Sequence, residues 1–457
     1  MARFYLGNIK GEPGEVTTQQ LLETIDVVES KINDISLNVK NYGAKGNGVD
    51  DDSEHINNAL SSGHKKIYIP HGEYVINQTL NITSNDIILY GEGVIISNAD
   101  VGLDLSGNNC NVQFNIDGGN VTRVGINVSG ENNIIHDSTV KNIYSNSDSA
   151  LGINVYNNNN TVENCYIDNV ESVGNDIFGD SSGASRGIRV SGLDTNNGIT
   201  LIKNNVITNI IGEEGDAIHL IAPDKDKMEV IVEGNKIHTF SRRGIKIQCS
   251  DTKIINNVIE NYTDHTSLIR AIDIQGVDNT MIMNNTLTLE YIPCFGLAGT
   301  EDKPVNNTVI SNNTVKMLTK IATVYTTYVN NFEFTGNKIE GGGSNIFNRA
   351  NKVKIVNNIF DSLQTESSDF PISVMQSGDD VLIMNNTVSN SLYHRPLRSN
   401  ATNVKIIGNN FTDDVGGIEL SSTGTGFVVN NVIRASSPVS TSEEGYTVEN
   451  NTLIRDI

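Results

Sequence analysis

The chain has 457 residues, 37% of them apolar, no tryptophan and a formal net charge of −22. Nucleic acid is excluded as a partner, because binding it needs a broad basic face. The wealth of Asn and Gly argues against helix bundles and for short strands joined by tight turns, whose unusual backbone angles those residues supply.

The N-terminal stretch lacks the apolar core of a signal peptide, and no segment is long and apolar enough to span a membrane. Residues 1–16 are rich in turn formers, including Gly7, Gly11, Pro13 and Gly14. From Thr17 to Ser36 the residues Leu21, Ile25, Val28, Ile32 and Ile35 are spaced 4, 3, 4, 3, which is a heptad seam. β-Branched residues at both seam positions favour a trimer. Residues 1–36 are therefore expected to be an attachment arm with a trimerising coiled-coil helix, and residues 37–457 one further domain.

Residues 39–76 carry a distinctive order. Gly43, Ala44, Gly46 and Gly48 form a turn, and Asp50, Asp51 and Asp52 open a short helix near residues 52–61. Ile56, Ala59 and Leu60 give that helix one apolar face, and Asp51 with Glu54 predicts a capping box. An apolar strand then runs into Pro70, Gly72 and Tyr74. The arrangement resembles the opening signature of the pectate-lyase-like (pectin-lyase-fold) β-helix superfamily, including its phage tailspike and appendage branch. That resemblance implies a right-handed parallel β-helix, and the helix suits a plug for the open end of the first coil. The Asp50–Asp52 run is the one candidate for calcium, but is read as a solvated helix start. No metal and no cofactor is expected.

Internal repetition carries the rest. An apolar-x-apolar-x-Asn-Asn-x-apolar motif recurs, and its second Asn gives the column Asn205, Asn235, Asn257, Asn285, Asn313, Asn337, Asn358, Asn386, Asn410, Asn431 and Asn451. A second column begins Gly-Ile-x-Val or Ala-Ile-x-Leu at Gly125, Gly152, Gly187, Ala217, Gly244, Ala271 and Gly417. Short period-two strands with turns between them describe a solenoid coil, so the fold class is all-β. Roughly thirteen coils at about 4.8 Å each would make a rod on the order of 60 Å long. The Asn column is read as a structural ladder of stacked amides. Cys110, Cys165, Cys249 and Cys294 form no CxxC pair and read as buried thiols.

In the Gly-Ile-x-Val strand, x faces outward. Down the coils x reads Asp104, Asn127, Asn154, Arg189, His219, Lys246 and Asp273, then Thr323 and Ser373. The residue before each Gly or Ala adds Arg186, Asp216, Arg243 and Arg270, and Glu213 and Glu214 lie on the turn before His219. Ionisable groups thus crowd the middle coils, where a mere charge ladder would scatter them. Asp216, His219, Lys246 and Asp273 are the candidate catalytic residues. Arg186, Arg189, Arg243, Arg270, Glu213 and Glu214 are the candidate substrate-binding residues.

Three chemistries stay open. Glycoside hydrolysis would use two carboxyls, Asp216 with Asp273, or Glu213 or Glu214 in place of one. A lyase would use Lys246 or Arg243 as base, with Arg189 or Arg270 stabilising the enolate. Phosphodiester cleavage would use His219, with arginines clamping phosphate. Sugar platforms would come from Tyr325, Tyr328, Tyr393 or His394. The resemblance, the arm and the lack of a signal peptide together imply a phage tailspike or appendage in the virion. Its partners would be a host glycan or teichoic acid and other tail proteins bound through the arm. The rival is a non-catalytic receptor-binding or structural spike.

Overall fold

Strands only two to eight residues long can bury their alternating apolar side chains by coiling around a shared interior. The computed structural model describes residues 23–24, 36–157, 159–173, 183–192, 198–222, 229–363, 370–375, 380–390, 395–412, 416–421, 424–435, 437–439 and 445–454. The seam residues Leu21, Ile25, Val28, Ile32 and Ile35 lie outside them, as do Tyr393 and His394.

The described strands form three long parallel sheets of 17, 17 and 14 strands, the architecture of a right-handed parallel β-helix. Each residue pairs with its counterpart one coil later. Ile126, Ile153, Ile188, Ile218, Ile245 and Ile272 stack in register through six successive strands. Further along, Phe334 lies 6.4, 5.9 and 6.3 Å from the rings of Phe295, Phe347 and Phe360. Phe295 is thus a core residue, fully buried. All four cysteines are free and buried.

The amide ladder forms at the turn from the first sheet to the second. Asn204, Asn256 and Asn284 take left-handed backbone, with φ of 57°, 58° and 58°, which a short polar side chain tolerates. The next Asn turns inward, and its Nδ2 donates to the matching Oδ1 one coil on. The bonds run unbroken from Asn205 to Asn451 at 2.9–3.1 Å. One member differs from expectation: the ladder uses Asn409, because Gly408 (φ 65°) takes the left-handed place and shifts the register from Asn410. The coils also outnumber the expected thirteen, with seventeen strands in the first sheet. Early coils were missed because Ser138 and Cys165 stand where later coils have Asn.

The helix Ser53–Leu60 buries Ile56, Ala59 and Leu60 in the core shared with Val39 and Ile67. The predicted capping box is absent. Asp51 accepts the Ser53 amide at 3.0 Å, while the cap residue Asp52 turns back to the amides of Lys45 (2.6 Å) and Gly46 (3.0 Å). Asp50 pairs with Lys45 at 3.1 Å, so the three carboxylates serve separate protein donors.

Candidate functional site

The third sheet carries the ionisable column. Its strands Ala150–Val155, Ala184–Ser191, Glu214–Ile221, Arg243–Gln248 and Arg270–Gln275 stack in that order. Gly187 is needed here because a Cβ would stand 2.6 Å from the Ala217 carbonyl of the next coil. The outward register runs Asp104, Asn127, Asn154, Arg189, His219, Lys246, Asp273, as expected. It continues through Gly296, Tyr325 and Ile346 to Ser373, so Tyr325, not the buried Thr323, holds that place. Arg186, Asp216, Arg243 and Arg270 form the neighbouring column.

These groups leave the core but do not reach open solvent. Asp216 and Asp273 are fully buried, and Arg186, His219, Arg243 and Lys246 are each under 9% exposed. Burial demands partners, and the side chains supply them to one another in a closed ring. Arg186 Nε donates to His219 Nδ1 at 3.0 Å, and His219 Nε2 meets Gln248 Oε1 at 2.8 Å. Gln248 donates to Gln275 at 2.8 Å, which donates to Asp273 at 2.7 Å. Arg243 bridges Asp273 (2.9 Å) and Asp216 (3.1 Å), and Asp216 closes the ring to Arg186 at 3.5 Å. Arg270 joins from outside, 2.8 Å from Asp273 and with its guanidinium 5.6 Å from the Tyr325 ring centroid. Gly296 makes that reach feasible, since a Cβ there would lie 1.7 Å from Arg270 Cδ.

Glu214 sits inside a cage of cations: Arg186 at 3.0 Å, Arg242 at 3.1 Å, Lys246 at 3.6 Å and Arg243 at 4.0 Å. Burial pushes its carboxyl up, but Lys246, Arg186, Arg242 and Arg243 outweigh that and hold it below its ordinary value. Burial draws the Lys246 ammonium down, aided by Arg243 and Arg186 and opposed by Asp216 and Glu214. Glu213 is exposed and contributes its carbonyl, 2.9 Å from Arg242.

A groove of about 430 Å³ opens over this network. Of the expected residues it is lined by Arg186, Arg189, Glu214, His219 and Lys246. Asp216, Arg243, Arg270, Asp273 and Glu213 do not line it. Residues that the sequence does not single out also line it, among them Arg123, Asp148, Tyr156 and Gln248. Tyr156 directly follows the Gly152-Ile-Asn-Val strand, a position that could have been read. Arg123 and Asp148 stand on turns, 3.6 Å apart, with no repeat to mark them. Arg189 reaches Asn154 at 3.3 Å, lies 5.8 Å from the Tyr156 ring centroid, and pairs with no carboxylate among the described residues. Around the groove and its floor stand Arg123, Arg186, Arg189, Arg242, Arg243, Lys246 and Arg270 against Asp148, Glu214, Asp216 and Asp273. In a chain of net charge −22 this is a local positive excess.

His219 is held neutral. Burial, then the charges of Arg186 and Lys246, push its pKa well below the ordinary 6.5. Gln248 gives its amide hydrogen to Gln275 and so offers oxygen to His219, which places the proton on Nε2. The His219 imidazole resonances are expected not to titrate at their ordinary pKa of about 6.5 in the folded protein. Because the unfolded ring binds a proton below its ordinary pKa of about 6.5 and the folded ring does not, stability should fall as pH drops through that value. A native titration near pH 6.5, followed by NMR, would contradict the ring geometry.

Residues 36–109 match the family described as rhamnogalacturonase A/epimerase, pectate lyase-like, and residues 186–360 match the right handed beta helix region. The pre-neck appendage protein of Bacillus phage B103 is 36% identical over 70 residues, 15% of this chain and 8% of that protein. The preneck appendage protein of Bacillus phage PZA is 27% identical over 128 residues, 23% of this chain and 14% of that protein. The matched stretches are therefore a small part of those relatives. The crystal structure of pre-mature bacteriophage phi29 gene product 12 superposes with a TM-score of 0.52 at 13% identity, covering 95% of this chain and 75% of that one. That likeness is one of fold. The chain thus carries a pectate-lyase-like stretch followed by a right-handed β-helix region, and pre-neck appendage proteins of Bacillus phages are among its sequence relatives.

Proposed function

We propose that the protein is a phage tail appendage whose third-sheet groove binds an anionic polymer of the host surface and cleaves it by proton abstraction. The observation that carries this is the cationic groove on an acidic chain, where Arg189 meets no carboxylate among the described residues. A neutral glycan would gain little from such a cluster, whereas an acidic one meets charge-assisted donors. The appendage relatives support placement in the virion, with residues 1–36 as the arm toward other tail proteins and the trimer as the assembled form.

Among the three chemistries, proton abstraction suits the groove best. Hydrolysis through Asp216 and Asp273 would require carboxyls that face the ligand, yet both are buried on Arg243. Glu214 lines the groove but is held ionised, so it is not a ready acid. Phosphodiester chemistry through His219 would need a free ring nitrogen, and both are bonded. Lys246 combines access to the groove with an ammonium weakened by burial. Arg243, the other base candidate, is locked between two aspartates. Lys246 would take the proton alpha to a uronate carboxylate, and Arg186 and Arg189 would neutralise the carboxylate as the enolate forms. The enolate would collapse to a C4–C5 double bond as the C4–O glycosidic bond breaks, the departing oxygen taking a proton from the Lys246 ammonium or from water. Asp216, Asp273, Arg243, Arg270 and His219 would then be positioning residues.

The test uses purified acidic capsule, exopolysaccharide and wall teichoic acid beside a neutral glucan. An acidic polysaccharide is expected to be shortened, with new unsaturated uronate ends. Depletion of that polymer without shortening would favour a non-catalytic receptor-binding spike. Equal binding of the neutral glucan would remove the anionic assignment.

A further inference from the structure

Asp104, Asn127, Asn154 and Arg189 occupy one outward row of the third sheet, in register on successive strands. Stacking brings the members of such a row about 4.8 Å apart, near enough for short amides to bond from coil to coil. Here they bond in one direction. Asn127 Nδ2 donates to Asp104 Oδ1 at 2.7 Å, and Asn154 Nδ2 donates to Asn127 Oδ1 at 2.9 Å. Arg189 Nη1 donates to Asn154 Oδ1 at 3.3 Å. The chain begins at the carboxylate, because Asn81, one strand earlier, gives its amide to the Thr79 carbonyl at 2.9 Å instead. Asp104, Asn127 and Asn154 do not line the groove, and Asn154 is buried.

An amide offers a donor on one side and an acceptor on the other, so a chain of amides can run either way. A carboxylate only accepts. Asp104 therefore draws the Nδ2 of Asn127, which leaves the Asn127 oxygen for Asn154 and the Asn154 oxygen for the guanidinium. Were the chain reversed, the buried Asn154 amide would meet Arg189 donor to donor and lose its bond. The far side of the groove uses the same device: His219 bonds Gln248, Gln248 donates to Gln275, and Gln275 donates to Asp273. Each pair of amides ends on an aspartate, and each sets a side chain that lines the groove.

We propose that Asp104 positions Arg189 from about 14 Å away, three strand spacings, through the directed amides of Asn127 and Asn154. That separation exceeds the screening length of about 10 Å at 0.1 M salt, so direct attraction between the two partly exposed charges is small. The hydrogen-bond chain is the route. Arg189 pairs with no carboxylate among the described residues, and Asn154 and the Tyr156 ring, 5.8 Å away, are what hold its guanidinium over the groove. Asp104, Asn127 and Asn154 are thus positioning residues. What Arg189 does for a ligand rests on the function proposed above; how it is held does not.

The test reads Arg189 itself. The full chain is treated with phenylglyoxal, which modifies guanidinium groups, and the Arg189 peptide is quantified by mass spectrometry. Asp104→Lys turns the anchoring acceptor into a donor, and Asn154→Leu removes the oxygen that Arg189 holds. Each is expected to raise the Arg189 modification rate about threefold or more, the scale of one lost hydrogen bond. Arg398, on the same sheet but outside the chain of amides, should react at an unchanged rate. The double variant should react no faster than Asn154→Leu alone, because Asp104 acts only through Asn154. Asp104→Asn combined with Asn127→Asp moves the carboxylate one coil closer, keeps an acceptor beside Asn154, and should restore the wild-type rate. On a polymer that the wild type cleaves, Asp104→Lys should lower kcat about threefold or more with KM little changed. Added positive charge acting on an anionic ligand would do the opposite. If no polymer is cleaved, the proposed function fails and the modification rates still decide the positioning. A wild-type Arg189 rate in Asp104→Lys overturns the proposal, as do effects that add in the double variant. Should Asn154→Leu fail to fold by circular dichroism, Asp104→Lys and the shifted carboxylate decide.

Discussion

Arg243→Ala is expected to destabilise the protein by about 3–5 kcal/mol, the cost of stranding buried charges. Arg243 is the only described residue that bridges both fully buried aspartates, at 3.1 Å to Asp216 and 2.9 Å to Asp273. Removing it leaves Asp216 with a single weak partner, Arg186 at 3.5 Å. Asp273 keeps Arg270 and Gln275, so Asp216 is the more exposed to the loss. The outward direction of these side chains suggests that folding would tolerate substitution, but their burial reverses that expectation. Replacing Arg243, Asp216 and Asp273 together by Met, Leu and Leu should cost less than Arg243→Ala alone, because no fully buried carboxylate is then stranded and Arg270, which loses Asp273, is partly exposed. Lys316→Ala is the control: its partner Glu340 is 3.9 Å away and both side chains are about half exposed, so the change should stay within about 0.5 kcal/mol. The fall of the urea midpoint measures all three. An Arg243→Ala midpoint equal to that of wild type would show that the ring contributes nothing to stability.

Lys246→Ala is expected to lower polymer cleavage at least ~100-fold, the range for losing an acid–base group. Lys246→Arg should not rescue it, because a guanidinium keeps its proton. The pH profile separates a base from a mere binding cation. Cleavage should rise with pH as the Lys246 amine loses its proton. Glu214→Gln removes a carboxylate that raises the Lys246 pKa, so the rising limb should move to lower pH. A binding-only role for Lys246 would instead weaken polymer affinity, leave the limb in place, and let arginine substitute. Cleavage by Lys246→Ala at the wild-type rate would move the chemistry elsewhere.

The coils were legible because their signals are local and recur in every turn. Gly125-Ile-Asn-Val through Ala271-Ile-Asp-Ile carries both the alternation that points side chains in and out and the register that stacks them. Hence the column Arg189, His219, Lys246, Asp273 could be aligned without a structure. The seam at Leu21–Ile35 was equally readable as a pattern, though its residues lie outside those described. Errors arose where one residue type served two turn positions. Asn410 occupies the second-Asn place of the motif although the ladder uses Asn409, because glycine replaces the first Asn of the pair. Thr323 falls where the pattern expects the outward residue although Tyr325 holds it, because that coil lacks the Gly-Ile motif.

The partition of the charged cluster could not be read from spacing. Asp216 and Glu214 are two residues apart, yet one is sealed beneath Arg243 and the other faces the groove. That difference follows from which long side chains fold over which short ones, once coils 20–40 residues apart in sequence are stacked. Arg123, Asp148 and Tyr156 join the site only through that stacking. The sequence by itself determined the solenoid, its register and the face that gathers the charges, because periodicity and turn chemistry act within a few residues. Only the tertiary structure decided which of those charges are spent on one another and which remain for a ligand, because burial and pairing depend on neighbours in space.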